Sequence, residues 1–286
     1  MVNLIQKIKI ICRMIKIEHS VFALPFAYMG LFWSARGWPG WDKFILLTIA
    51  MVSVRSFAMT VNRIVDLPLD EKNPRTASRP LVTGEISVKE SVLFLLACAV
   101  VFVLACAGLN KLCLFLAPFA LLWSSFYSYT KRFSWACHFV LGSVLGLAPI
   151  AGWIAYAPEF SVVCLLLACG VMFWVAGFDI LYALQDVEFD QKEHLFSVPA
   201  IFGQEAGFGF ASLCHFTCTL FFGLAGYSKE ASFWYYLALG LVALILFVEH
   251  KLLSPNNLDK VNLAFFTLNG VIAIVLFLGV LADVFF

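Results

Sequence analysis

Long unbroken apolar runs, rather than any regular alternation, set the character of this chain. Nine can be drawn, at residues 20–35, 44–61, 90–109, 111–128, 136–155, 161–181, 206–226, 231–248 and 262–284. A bilayer span needs about 20 mainly apolar residues, a length the first run only approaches. The pattern predicts an all-α polytopic membrane protein, nine transmembrane helices in one bundle. The polar intervals are too short for a separate soluble module, so residues 1–286 read as a single domain. Ahead of the first run, Ile5, Ile8, Ile11, Cys12 and Ile15 oppose Lys7, Lys9 and Lys16 at helical spacing. That is the pattern of an interfacial helix feeding span one. A signal peptide, with 21–33 as its apolar region, is the competing reading, and the eight following spans weigh against it.

Composition agrees: 62% of residues are hydrophobic, 13% are charged, and mean hydropathy is +0.93. Where the cations fall carries more information. With the N-terminus in the cytoplasm and sides alternating, only Arg36, Lys43, Lys111 and Lys229 fall outside, and Arg55 lies within a span. Every other Lys and Arg is then cytoplasmic, as the positive-inside rule requires. This predicts a multi-pass protein of the inner (plasma) membrane, with its partners in the lipid bilayer. A net charge of +1 without a basic stripe gives no reason to expect nucleic acid, and no protein partner is required. The nine cysteines include no CxxC pair, so neither disulfides nor zinc are expected. Cys214, His215 and Cys218 read as small polarizable residues in a lipid-embedded helix.

In so apolar a chain, acids placed twice in the same pattern need an explanation. Asn62-x3-Asp66-x3-Asp70 and Asp186-x3-Asp190 each end a long apolar run. Spacing of four puts successive acids on one helix face; Asp179 lies two turns before Asp186. The following loops also match: Ser78-Arg79-Pro80-Leu81-Val82-Thr83-Gly84 aligns with Ser197-Val198-Pro199-Ala200-Ile201-Phe202-Gly203 at nearly the same offset. Both follow even-numbered spans, so the repeat is parallel and both acid clusters lie on the cytoplasmic face. At an effective dielectric near 20, like charges ~4 Å apart repel by roughly 4 kcal/mol. Mg²⁺ removes that penalty, because it takes oxygen ligands and is commonly shared between carboxylates and substrate phosphates. The competing reading is a solvated helix end balanced by Lys72, Arg75 and Arg79; the duplication argues against it. Arg79, Lys131, Arg132 and Lys16 sit near the same face and suit an anionic ligand. An intramembrane arginine such as Arg55 costs at least ~2.5–3.5 kcal/mol to insert, so it should pair or bind something.

Together these residues resemble the UbiA-type intramembrane prenyltransferases. Asn62-x3-Asp66-x3-Asp70 is similar to the family's first aspartate motif, and the segment from Asp179 through Asp186 to Asp190 to its second. Tyr127-Ser128-Tyr129-Thr130-Lys131-Arg132 resembles its loop after span four, and Lys16-Ile17-Glu18-His19 its approach to span one. One departure is Arg63, where many members carry a second acid. The run from Asn62 to Thr76 is most similar to bacterial 4-hydroxybenzoate polyprenyltransferase-like members, some of which are thought to act on 1,4-dihydroxy-6-naphthoate in a menaquinone route.

The resemblance implies transfer of a polyprenyl group from polyprenyl diphosphate to the ring of a small aromatic acid, in quinone biosynthesis. It implies that Asn62, Asp66, Asp70, Asp186 and Asp190 hold Mg²⁺, and that Asn62, Arg79, Lys131, Arg132 and Lys16 bind the diphosphate. Asp179 would orient the acceptor or take the ring proton, and Arg55 would hold its carboxylate. A secondary transporter is the rival class, but transporter sites usually lie at mid-bilayer between broken helices, whereas these acids are predicted at the rim.

Overall fold

The computed structural model describes residues 4–17, 20–253 and 267–286, and every regular element among them is helical. In chain order these are α1 (Leu4–Ile15), α2 (Ser20–Ala35), α3 (Trp41–Val65), α4 (Leu67–Asp70), α5 (Val88–Leu109), α6 (Lys111–Thr130), α7 (Cys137–Tyr156), α8 (Val162–Ala183), α9 (Val187–Lys192), α10 (Val198–Phe202), α11 (Gln204–Lys229), α12 (Phe233–Leu252) and α13 (Asn269–Phe285). Among the described residues seven helices are long and apolar enough to cross a bilayer, one running on through Val162–Lys192. The first and ninth predicted spans are helical too, but shorter, with 16 residues in α2 and 17 in α13. Residues 262–266 of the ninth span, and Glu18 and His19 before the first, lie outside the described residues.

The long helices bury a core built from Phe26, Trp33, Trp174, Phe222 and Tyr235. Their outer faces stay apolar, with Leu93, Phe115, Leu122, Phe216 and Leu244 exposed, as lipid-facing positions require. The amphipathic α1 leaves Ile5 and Ile8 exposed while Met14 and Ile15 pack on Leu81 and Ile86. Ion pairs from Lys7 to Glu90 and from Arg13 to Glu85 tie it to the start of α5 and the loop before it.

The two acidic regions share a local plan. In the first, Asp66 (φ −87°, ψ 0°) ends α3, and Pro68, which has no N–H to continue the ladder, follows in α4. Backbone bonds from Asp66 N–H to the Asn62 carbonyl (2.9 Å) and from Asp70 N–H to the Asp66 carbonyl (2.8 Å) nonetheless keep the helical repeat across the break. In the second, α8 tightens through residues 184–186 before α9 resumes. Each region then ends in a glycine with positive φ, Gly84 (75°) and Gly203 (88°), a conformation that glycine adopts without steric cost. A long helix follows each: α5, capped by the Ser87–Glu90 capping box, and α11. They differ between Ser and Gly, where residues 78–83 form turns and 198–202 form α10.

α2 and α7 approach so closely that only glycine fits at their crossing. A Cβ on Gly152 would lie 1.8 Å from the Ala27 carbonyl oxygen, and one on Gly30 2.1 Å from the Pro149 oxygen. Both obstacles are helix backbone, which cannot swing aside. Gly152→Val is therefore expected to destabilise the bundle by about 1–3 kcal/mol or more, read as a lowered melting temperature in detergent. An unchanged melting temperature would show that the helices separate without cost.

Candidate active site

The C-terminal ends of α3, α6 and α8 come together, with α4 and α9, around the mouth of a cavity of ≈ 450 Å³. Asn62, Asp66, Asp70, Asp179, Asp186, Asp190, Lys16, Arg55, Arg79 and Lys131 all line it. So do Arg63, Asn73, Arg75, Tyr127, His138, Tyr182 and Ser197. Further in, the lining turns apolar. Along α3 it runs from Asn62 through Ala58 and Val54 to Met51, and along α7 from His138 through Leu141, Leu145 and Ala148 to Ala151. One cavity thus has a charged mouth and a greasy interior.

Most acids at the mouth already have a cation. Asp66 is 3% exposed and takes Lys131 Nζ and the Asn62 amide on Oδ2 (both 2.9 Å), with Arg132 Nη2 on Oδ1 (2.9 Å). Asp70 accepts from Arg79 Nη1 at 2.6 and 2.5 Å. Asp186 is gripped in a fork by Arg75, Nε to Oδ1 at 3.0 Å and Nη2 to Oδ2 at 2.5 Å. Asp190 accepts from the Ser197 hydroxyl at 2.8 Å. Carboxylates withdrawn from water need such partners, since an unpaired buried charge costs several kcal/mol.

Arg75 physically joins the two motifs. It lies on the loop after the first and binds the acid of the second, with its Nη1 on the Tyr182 hydroxyl (3.1 Å) and its guanidinium over the Tyr182 ring. Burial, the largest single influence, would lower its pKa; the hydrogen bonds to Asp186 together with the charges of Asp186 and Asp70 and the Tyr182 hydroxyl raise it above the usual guanidinium value. Asn73 adds a longer contact to the same carboxylate, 3.4 Å. Arg63, 5% exposed, donates through Nη1 to Asn62 Oδ1 (3.1 Å) and through Nε to the Met14 carbonyl (3.2 Å). The extra cation in the motif therefore orients Asn62 and fastens α1.

Of the expected ligand groups, Arg132 stands apart and Arg55 has an additional partner. Arg132 does not line the cavity: its guanidinium serves Asp66 and the carbonyls of Ser128 and Val65 (2.6 and 2.9 Å). It braces Asp66 from behind. Arg55 does reach the cavity, and its Nη1 also donates to the Ile15 carbonyl at 3.2 Å, a partner on α1 that hydropathy gave no means of foreseeing.

Among the described residues no three His, Cys, Asp or Glu side chains converge closely enough to enclose a metal ion. The donor set is nonetheless hard oxygen throughout, with Asn62, Asp66 and Asp70 from one motif and Asp186 and Asp190 from the other. It fits an ion that keeps some waters and shares the oxygens of a bound phosphate, the usual habit of Mg²⁺. It does not fit one held in an all-protein cage.

Helix ends carrying acids and cations at the rim of an apolar cavity, in a multi-pass helical bundle, define a membrane-embedded enzyme. Residues 23–271 match the UbiA prenyltransferase family. The chain belongs to that family, and it is a prenyltransferase. It is 30% identical over 254 residues to a 4-hydroxybenzoate octaprenyltransferase of Nitrosomonas eutropha, covering 89% of this chain and 88% of that one. A Coxiella burnetii protein of the same name is 28% identical over 284 residues, covering 98% of each. Among solved structures, an apo UbiA homolog from Aeropyrum pernix K1 superposes with a TM-score of 0.85 at 31% identity, covering 93% of this chain and 98% of that one. A UbiA homolog from Archaeoglobus fulgidus bound to GPP and Mg²⁺ shares the fold, with a TM-score of 0.74 at 20% identity over 96% and 99% of the two chains.

Proposed function

We propose that this enzyme transfers a polyprenyl group from a polyprenyl diphosphate to the ring of 4-hydroxybenzoate in quinone biosynthesis, with Mg²⁺. The observation that supports it is one cavity whose mouth carries both acid clusters with their cations and whose interior is apolar. The mouth suits a diphosphate, the interior an isoprenoid tail. The named relatives supply the acceptor. The nine predicted spans would form one domain in the inner membrane, with the N-terminus and the cavity mouth on the cytoplasmic side, where the Lys and Arg residues concentrate.

In this reading Asn62, Asp66, Asp70, Asp186 and Asp190 hold Mg²⁺, which supplies positive charge to the leaving diphosphate. Lys131 and Arg79 exchange their carboxylate partners for phosphate oxygens once the substrate is seated, with Lys16 beside them. The allylic C–O bond breaks, its electron pair leaves with the diphosphate, and the charge is met by these cations. The activated ring carbon donates the pair that forms the new C–C bond, and the ring proton departs to a base, the role assigned here to Asp179. The apolar lining keeps water from the allyl cation.

Incubating membranes with a prenyl diphosphate and competing aromatic acids, with mass spectrometry of the products, tests the acceptor. Prenylated 4-hydroxybenzoate is expected to dominate; a prenylated naphthoate in its place overturns the assignment. Chelation with EDTA is expected to stop transfer and excess Mg²⁺ to restore it, whereas activity that survives chelation removes the metal from the reaction.

A further inference from the structure

His138 was absent from every motif, yet it lies 2% exposed at the cavity wall, where α7 begins. Its Nδ1 is 2.7 Å from Asp179 Oδ2, and its Nε2 is 3.2 Å from the backbone nitrogen of Val198. A backbone N–H can only donate, so Nε2 must be the acceptor and carries no proton. The proton then resides on Nδ1 and is donated to Asp179. Both ring nitrogens are used, and the tautomer is fixed by the protein.

We propose that His138 is the positioning residue that aims Asp179 into the cavity. Asp179 keeps 28% of its side chain exposed, and among the described residues no hydrogen bond or ion pair is made to its other oxygen. One oxygen is thus anchored to a ring that cannot turn, and the second faces the space where an acceptor would lie. Hydrogen-bonded carboxylate–imidazole pairs commonly fix the orientation of a functional side chain, there the imidazole; here the imidazole is the fixed partner and the carboxylate the one it directs.

The ring is itself held by the second acidic region. Val198 opens α10, whose preceding residue Ser197 donates to Asp190. The same stretch is pinned to the loop before α7, with Phe196 N–H on the Lys131 carbonyl at 2.7 Å and Cys137 Sγ on the Phe196 carbonyl at 3.2 Å. His138 therefore sets Asp179 in register with the segment that carries Asp190.

The inference rests on the prenyl-transfer reading but not on the acceptor's identity. The test uses whichever aromatic acid the wild type prenylates, so a different acceptor corrects the substrate assignment without bearing on His138. Two substitutions separate the two ring nitrogens. In His138→Asn the amide reaches the place of Nδ1 and can still donate to Asp179; in His138→Gln it reaches the place of Nε2 and leaves Asp179 without a donor.

His138→Gln is expected to lower kcat about 10–100-fold, the usual cost of losing such a supporting partner, with KM for the prenyl diphosphate unchanged. His138→Asn should recover most of that loss. In an Asp179→Asn background, His138→Gln should cost nothing further, because the group it aims is gone. Equal losses in the Asn and Gln variants, additive losses in the double variant, or wild-type activity in His138→Gln would each overturn the proposal.

Discussion

Replacing Asp66 or Asp186 with alanine, singly, is expected to abolish prenyl transfer in membranes supplied with Mg²⁺, with kcat falling about 10³-fold or more. The two positions are the centres of their clusters. Asp66 gathers Lys131, Arg132 and Asn62, and Asp186 gathers Arg75 and Asn73. Alanine removes the anion and leaves its cations facing one another, so part of any loss would come from a disturbed mouth. Asp66→Asn and Asp186→Asn separate the causes. Asparagine keeps the shape and an accepting oxygen but not the charge, so a bundle that melts like wild type and yet fails to transfer identifies the lost charge. Substantial turnover by any of these variants would show that the acids only organise the rim.

The reach of the sequence is clearest at these acids. Scarcity and duplication singled out Asn62, Asp66, Asp70, Asp186 and Asp190, and all five line one cavity. The middle seven spans were equally legible, because a bilayer crossing announces itself by length, and among the described residues seven helices are long and apolar enough to make one. The shorter α2 and α13 fall at the chain's two ends, where the apolar runs meet residues outside those described.

Partners escaped the sequence because pairing is a property of space. In the sequence Arg75 enters only the competing reading, as one of three cations around a solvated helix end, and nothing in its neighbourhood marks it for an acid on a different span. Arg132 followed the same logic in reverse. Its place beside Lys131 suggested a shared role, yet the two residues lie in the turn after α6, and only Lys131 lines the cavity. Arg63 stood out as a departure from the family's pattern, but its role depends on α1 folding back to present the Met14 carbonyl. His138 carried no signal, since a lone histidine in an apolar run has no spacing to be measured against. Ser197 stands first in a repeated loop, but its bond to Asp190 is specific to the second copy: Ser78 is exposed and Asp70 takes Arg79 instead.

The proposed role of Arg55 separates binding of the acceptor from binding of the diphosphate. It lies two turns below Asn62 on α3 and lines the cavity. If it holds the acid's carboxylate, Arg55→Leu leaves that group buried without a partner. Breaking a buried ion pair costs about 3–5 kcal/mol, so kcat/KM for 4-hydroxybenzoate should fall by roughly two to nearly four orders of magnitude. Arg55→Lys should fall between, because an ammonium keeps the charge but loses the planar fork that matches a carboxylate. The hydrogen bond to the Ile15 carbonyl is also lost in Arg55→Leu, and that bond is worth only about 1 kcal/mol. A phenolic acceptor without a carboxylate provides the control: it loses only what Arg55 contributes to the protein itself, and the ratio between the two acceptors should collapse in the variant. An equal loss for both acceptors would confine Arg55 to fastening α1.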